Sequence, residues 1–245
     1  MDGHLRDVVD VAWAEALDCD RRLVRTPGVH LVRGGPGFAG YNAVYMARIE
    51  DAVLVYCPES FRAVARDLLA GCQADDAFTV GALEGIARDR LEMILGPSSH
   101  AFTDRRHFAP VPPAGRQVSA NDERLAALRV ACGEDEWAEA GFIFGQGVVY
   151  AMETDGDVLA AGNMTPFRGR LADVGLITHP DHRGEGWAKR LASQMVVDAL
   201  PDAGVVRYRA LTTNAPSLAV ARALGFIWRG LNLVARLREP AVDAW

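Results

Sequence analysis

Apolar positions along the chain follow two periods, one helical and one alternating. Leu5, Val8, Val9, Ala12, Trp13 and Leu17 form a stripe that predicts an amphipathic helix over residues 5–18. The runs "VHLV", "AVYMARI" and "AVLVY" are rich in Val, Ile and Tyr and predict strands. "ESFRAVARDLLAG" predicts a helix stopped at Gly71, and "LEGIARDRLEMILG" a second helix before "PSSHAFTD". The pattern then breaks at 107–118, "HFAPVPPAGRQV". Pro110, Pro112, Pro113 and Gly115 suit neither a helix interior nor a central strand, so the segment reads as an interdomain linker. It separates a domain at 1–106 from one at 119–245.

Beyond it, "NDERLAALRVACG" predicts a helix with Ser119 or Asn121 as cap. "VVYAMET" and "DVLAAGNMT" predict a hairpin turning at Asp155-Gly156-Asp157. "ADVGLIT" is a third strand. "GWAKRLASQMVVDAL" predicts a helix with Trp187, Leu191, Met195 and Ala199 at four-residue steps. A strand "VVRYRALTT", a helix "APSLAVARALGF" ended by Gly225, and a strand "IWRGLNLVARL" follow. The order α-β-β-β-α-β-α-β indicates a mixed α/β (α+β) fold, preceded by a smaller α/β domain.

Composition narrows the function. Half of the 245 residues are hydrophobic and 24% are charged, which is ordinary for a folded chain with a core. With 26 basic and 32 acidic residues the net charge is −6, which argues against nucleic acid or an anionic membrane as a partner. No apolar run is long enough to span a bilayer, and the N-terminus lacks a signal-peptide core. Cys19, Cys57, Cys72 and Cys132 are scattered with no CxxC pair. No metal site is therefore expected, and a reducing cytoplasm is the expected compartment. Lys189 is the only lysine among the 26 basic residues. Codon bias accounts for the excess of Arg.

The most informative stretch is "ADVGLITHPDHRGEGWAKRLA", residues 172–192. A strand runs through a Pro-containing turn into a helix, by way of Arg183, Gly184, Glu185 and Gly186. Unpaired N–H groups at a helix N-terminus, with glycines that admit close approach, suit a phosphate or pyrophosphate. A plain chain reversal is the simpler reading. A dinucleotide loop would need glycine where Lys189 stands. Arg183, Gly186 and Ala188 instead fit Arg-x-x-Gly-x-Ala. In this the chain resembles the GNAT (GCN5-related N-acetyltransferase) family, whose loop for acetyl-CoA follows Gln/Arg-x-x-Gly-x-Gly/Ala. Asn214, Ser217 and the closing Gly225-Phe226 are similar to the family's Asn-x-x-Ser/Ala…Gly-Phe segment. The resemblance covers about residues 116–238.

It implies a GNAT-like mixed sheet flanked by helices, and acetyl transfer from acetyl-CoA to a primary amine of a small molecule or peptide. It also implies cofactor contacts. Leu176, Ile177 and Thr178 would offer main-chain groups to pantetheine and the thioester oxygen. Arg183, Gly184, Glu185, Gly186, Trp187, Ala188 and Lys189 would form the pyrophosphate turn, and Asn214 and Ser217 would line the other side. Amine acylation needs a base, an oxyanion donor and a proton for the leaving thiolate. The base candidates are Asp173 and the carboxylates beside Trp137, Glu134 and Glu136, with Glu136 preferred. Each has an alternative reading as a solvated surface charge. The tyrosine that many family members place four residues after the Ser217 position is Ala221 here, leaving Ser217, Tyr208 or water. That departure keeps open a CoA-binding module without turnover, and a nucleotide-binding oxidoreductase is a third option. Gly35, Gly37 and Gly40 match G-x-G-x-x-G literally, but "YNAVYMARI" after them reads as strand, so the match reads as a glycine-rich turn. The N-terminal part fits either a divergent GNAT-like half or an accessory domain. Oligomeric state is open, a homodimer being one option.

Overall fold

The computed structural model describes residues 2–142, 147–154, 156–167 and 171–238. Its elements are, in chain order, α1 (Gly3–Leu17), β1 (Gly28–Val32), β2 (Ala43–Ile49), β3 (Ala52–Tyr56), α2 (Arg62–Leu69), α3 (Ala74–Ala77), α4 (Val80–Ala87), β4 (Leu91–Asp104), β5 (Arg116–Val118), α5 (Arg124–Cys132), α6 (Glu134–Glu139), β6 (Val148–Thr154), β7 (Asp157–Phe167), β8 (Leu171–Thr178), α7 (Trp187–Ala203), β9 (Val205–Leu211), α8 (Ala215–Ala223) and β10 (Ile227–Leu237). The chain divides into two compact units. Among the described residues, 2–100, 211–213 and 228–238 belong to the first, and those within 101–210 and 214–227 to the second.

In the first unit β1 runs parallel to β3, β3 antiparallel to β2, and β2 antiparallel to β10. The core lies where Met46, Val53, Val55 and Leu233 meet Leu83 and Ile86 of α4. α1 buries Leu5, Val9, Trp13 and Leu17, four of the six residues of its predicted stripe. It also buries Asp10 completely, and Arg229 answers that charge with Nε and a terminal nitrogen at 3.1 and 2.9 Å. A buried carboxylate needs such a partner.

One predicted helix is corrected here. "LEGIARDRLEMILG" was expected to be helical throughout, but α4 stops at Ala87 and Leu91 begins strand β4. Arg88 adopts φ 51°, which reverses the chain. The apolar residues of "LEMILG" satisfy either period, so tertiary pairing decides between them.

The second unit is a three-layer mixed structure. β5, β6, β7 and β8 pair antiparallel in succession. β9 pairs parallel to β8, and such a pair needs a crossover, here supplied by α7. Strand alternation sorts the side chains between two faces. Tyr150, Met152, Ala160 and Val174 face one core with Leu191 and Met195 of α7. Val149, Ala151, Ala161 and Ile177 face another with Leu125 and Leu128 of α5 and Trp137 of α6. The hairpin forms with Thr154 opposite Asp157, while Asp155 of the predicted turn lies outside the described residues.

Residues 107–118, read from the sequence as a linker, fall within the second unit. Phe108, Val111 and Ala114 pack on its core, and Ser193 of α7 both donates to the Val111 carbonyl and accepts from its N–H. The predicted cap of α5 is also corrected. Helical geometry begins after Glu123 with no side-chain cap, and Ser119 Oγ accepts from Asn121 N in the preceding turn. Among the described residues no helix is long and apolar enough to cross a membrane.

Candidate active site

β8 ends at Thr178, and His179 N donates to the Leu159 carbonyl, which keeps the chain on the sheet as it leaves the strand. A 3-10 turn over Pro180–His182 follows, with the Asp181 N–H donating to His179 Nδ1. Gly184 and Gly186 then adopt φ 83° and 86°, the left-handed region in which a side chain is strained. α7 starts at Trp187 with Gly186 as its cap, and no side chain caps it. Its first N–H groups have no partner within the helix. A Cβ placed on Gly184 or Gly186 would meet nothing within 4 Å. The result is an open turn whose N–H groups stand at the positive end of a 17-residue helix, an arrangement that suits an anion. Lys189 is half-buried in the first turn of that helix.

A second feature lies beside it. β8 and β9 pair only over Ala172–Val174 and Val206–Tyr208, although β8 continues to Thr178. Gly175–Thr178 therefore run past the point where this pairing ends. α8 begins beyond β9. Asn214 caps it by accepting from Ser217 N at 3.0 Å. Ser217 Oγ shares a 3.0 Å hydrogen bond with Tyr208 Oη. Burial pushes the Tyr208 phenol up to about 12, against the weaker pull of Ser217, so it stays protonated at neutral pH. Ala221, at the position where many relatives carry tyrosine, is fully buried in the core beneath α8.

The predicted polar residues have defined partners. Asp173 is held bidentately by Arg207, its register partner on β9, through Nε at 2.9 Å and a terminal nitrogen at 2.5 Å. Glu136 lies on α6 and accepts from Arg183 at 2.5 Å. Arg183 Nε donates to the Thr178 carbonyl at 3.2 Å, and Cys132 Sγ approaches the same oxygen at 3.6 Å. A carbonyl has two lone pairs, so the Thr178 oxygen is filled from within the chain. Burial, reinforced by Glu136 and opposed by Arg183, pushes the Cys132 thiol up, which keeps the proton it donates. Glu185 accepts from Trp187 Nε1 at 2.7 Å, and the Arg190 guanidinium stands over the Trp187 ring. Glu134 pairs instead with Arg129, which lowers its carboxyl.

Sequence reading missed Gly175. A Cβ there would stand 2.0 Å from the Ala140 carbonyl, so the end of α6 rests directly on the β8 backbone. The signal was a glycine inside a strand, which marks close backbone approach. It also missed Asn163, opposite Gly175 on β7 and 3% exposed, whose Nδ2 donates to the Gly141 carbonyl. Among the described residues no cluster of three His, Cys, Asp or Glu is placed to hold a metal.

Residues 118–226 match the model of the acetyltransferase (GNAT) family. This segment is a GNAT domain. Its span takes in β8, the glycine turn, α7, β9 and α8. The residues before the GNAT domain have no assignment, and no curated protein matches the chain. Solved structures similar to the chain include a GNAT-family acetyltransferase from Novosphingobium aromaticivorans, at 22% identity and TM-score 0.49, covering 60% of this chain and 67% of that one. A GNAT acetyltransferase from Colwellia psychrerythraea is similar at 14% identity and TM-score 0.48, covering 63% and 61%. The ribosomal-protein-S18-alanine N-acetyltransferase from Escherichia coli is similar at 13% identity and TM-score 0.39, covering 54% and 98%. The chain spans less than two thirds of the length of the Colwellia protein.

Proposed function

We propose that the GNAT domain transfers an acetyl group from acetyl-CoA to a primary amine of a small molecule or peptide. The observation that carries this reading is the open, glycine-lined N-terminus of α7 beside the end of the β8–β9 pairing. Acetyl-CoA supplies an acetyl group activated as a thioester. The N–H groups of Trp187, Ala188 and Lys189 and the turn at Gly184–Gly186 would hold its pyrophosphate, with the Lys189 ammonium adding charge. The main chain of Leu176 and Ile177 would meet the pantetheine arm, with Ser217 on its far side. Thr178 would contribute through groups other than its carbonyl, which Arg183 and Cys132 occupy. With Tyr208 Oη donating to it, the Ser217 hydroxyl would be free to give its own proton to the departing sulfur. Asp173 and Glu136 are each paired with a guanidinium, so in this reading the amine proton leaves through water.

The second reading is a CoA-binding module without turnover, favoured by one observation: Ala221 stands where relatives place their acid. Thermal shift with acetyl-CoA, followed by thiol release across aminoglycosides, polyamines, amino acids and peptide N-termini, separates the two. Binding with release is the expected result. Binding without release from any amine selects the module, and absence of binding overturns both.

A further inference from the structure

Arg183 is the first residue of the loop motif, and its charge suggests a phosphate ligand. Its guanidinium points elsewhere. Nε donates to the Thr178 carbonyl and a terminal nitrogen to Glu136. The same carbonyl takes the Cys132 thiol from the end of α5. Three segments thus converge on one backbone oxygen at the end of β8: the α5–α6 corner, the strand itself and the glycine turn. The backbone of α6 is already seated on β8 where Ala140 meets Gly175. Trp137 of α6 stacks on Phe142 at 4.2 Å.

We infer that Arg183, Glu136 and the Thr178 carbonyl form a clasp that fixes the glycine turn against α6. Arg183 is then a positioning residue for the pyrophosphate turn and not a phosphate ligand. Glu136 is its counter-charge and not the general base. This rests on the proposed acetyl-CoA site but assigns these two residues a different task in it. The clasp has a consequence for binding. α6, which carries Trp137, is thereby held to the turn proposed to receive the donor. An anion that orders the turn is therefore expected to order α6 as well.

The test is a double-mutant cycle on the full chain, with Glu136→Gln, Arg183→Ala and the double variant. Acetyl-CoA affinity is measured by calorimetry, kcat and KM by thiol release, and amide exchange of residues 134–140 without ligand. The pair is about half exposed, so the effects expected are modest. Glu136→Gln is expected to weaken acetyl-CoA about threefold and to leave kcat and its pH profile unchanged. Arg183→Ala is expected to weaken it about tenfold, with faster exchange over α6, because both hydrogen bonds are lost. The double variant should be no worse than Arg183→Ala alone. A kcat loss of about a hundredfold in Glu136→Gln, with loss of the acidic limb, would make it the base and overturn the inference. Strict additivity, with Arg183→Ala still costing its full effect beside Glu136→Gln, would make Arg183 a phosphate ligand and overturn it equally. Failure of the wild type to bind acetyl-CoA would refute the proposed function and not the clasp. Unchanged α6 exchange in ligand-free Arg183→Ala refutes the clasp on its own.

Discussion

Two glycine-rich turns follow strands in this chain, and they differ in what packs on their first glycines and in the element that follows. The first, over Gly34–Gly40, matches a dinucleotide fingerprint by letter. A Cβ on Gly34 would stand 2.5 Å from the Tyr56 ring, and one on Gly35 2.6 Å from the Glu15 carbonyl. Phe38 from the same turn is 5% exposed and packs against Tyr41, Tyr45 and Tyr56. No long helix starts there. A short 3-10 turn over Pro36–Phe38 leads to β2. The second turn, with Gly184 and Gly186, has open space where side chains would be, and a helix of 17 residues begins at it. Glycine at 34 and 35 makes room for the protein, although Gly40 at the end of that turn faces open space. In the second it leaves room for something else. Spacing alone does not distinguish these uses; the element that follows does.

The comparison breaks most readily at Gly186. Gly186→Glu puts a carboxylate at the positive end of α7, where the pyrophosphate would sit, and strains a left-handed residue. Acetyl-CoA affinity is expected to fall by more than about a hundredfold, while the melting temperature drops by about 2–8 °C, the shift of about 1–2 kcal/mol of strain. Calorimetry beside a thermal melt reads both, and unchanged affinity would remove the loop assignment. Gly35→Ala tests the other turn. Its φ is an ordinary −76°, so the cost is steric, against the Glu15 and Ala16 carbonyls. Loss of about 1–3 kcal/mol is expected, as for an overpacked core, with acetyl-CoA affinity per folded molecule unchanged. A weakened affinity there would mean that the first turn takes part in binding. Lys189→Ala should do less than Gly186→Glu. A partly solvated charge on a phosphate contributes about 1 kcal/mol, so a fivefold loss that shrinks at high salt is expected. A salt-independent result, or none, returns Lys189 to the role of a helix-face charge.

What the sequence made legible follows from period and punctuation. β2 and β10 begin and end where their apolar runs do, and Asn214 caps α8 as its type and place require. Readings failed where two periods coincide, as in "LEMILG", and where composition was taken for freedom. Prolines in 107–118 exclude a helix, but they do not prevent Val111 from being pinned by Ser193, 82 residues away. The glycine turn was found because its chemistry is local and in sequence order. The partners of its charged residues were not, because Asp173 meets Arg207 across 34 residues and Glu136 meets Arg183 across 47. Carboxylates singled out as bases by residue type turned out to be held by arginines, which pattern alone does not reveal.

The smallest expected effects separate the two units through a pair of tyrosines. Tyr56 Oη lies 3.2 Å from the Phe38 carbonyl and 3.3 Å from that of Tyr41, and so closes the first glycine turn upon itself. Tyr56→Phe removes that bond and should cost about 1 kcal/mol with no effect on turnover. Tyr208 has no such carbonyl; its partner is the Ser217 hydroxyl. In the unfolded chain a tyrosine loses its proton near pH 10, as model peptides do. In the folded chain burial holds the Tyr208 proton up to about 12. The folded state thus binds that proton more tightly, and the resulting stability is present below pH 10 and lost as pH rises towards 12. Denaturant melts across that interval should show a fall in stability that Tyr208→Phe reduces. Tyr208→Phe and Ser217→Ala should also lower kcat together, by less than about tenfold, since a thiol of pKa near 8.5 leaves tolerably without help. If Ser217→Ala alone lowers kcat while Tyr208→Phe does not, the proton reaches the sulfur from water through the serine, and the tyrosine serves only to hold it.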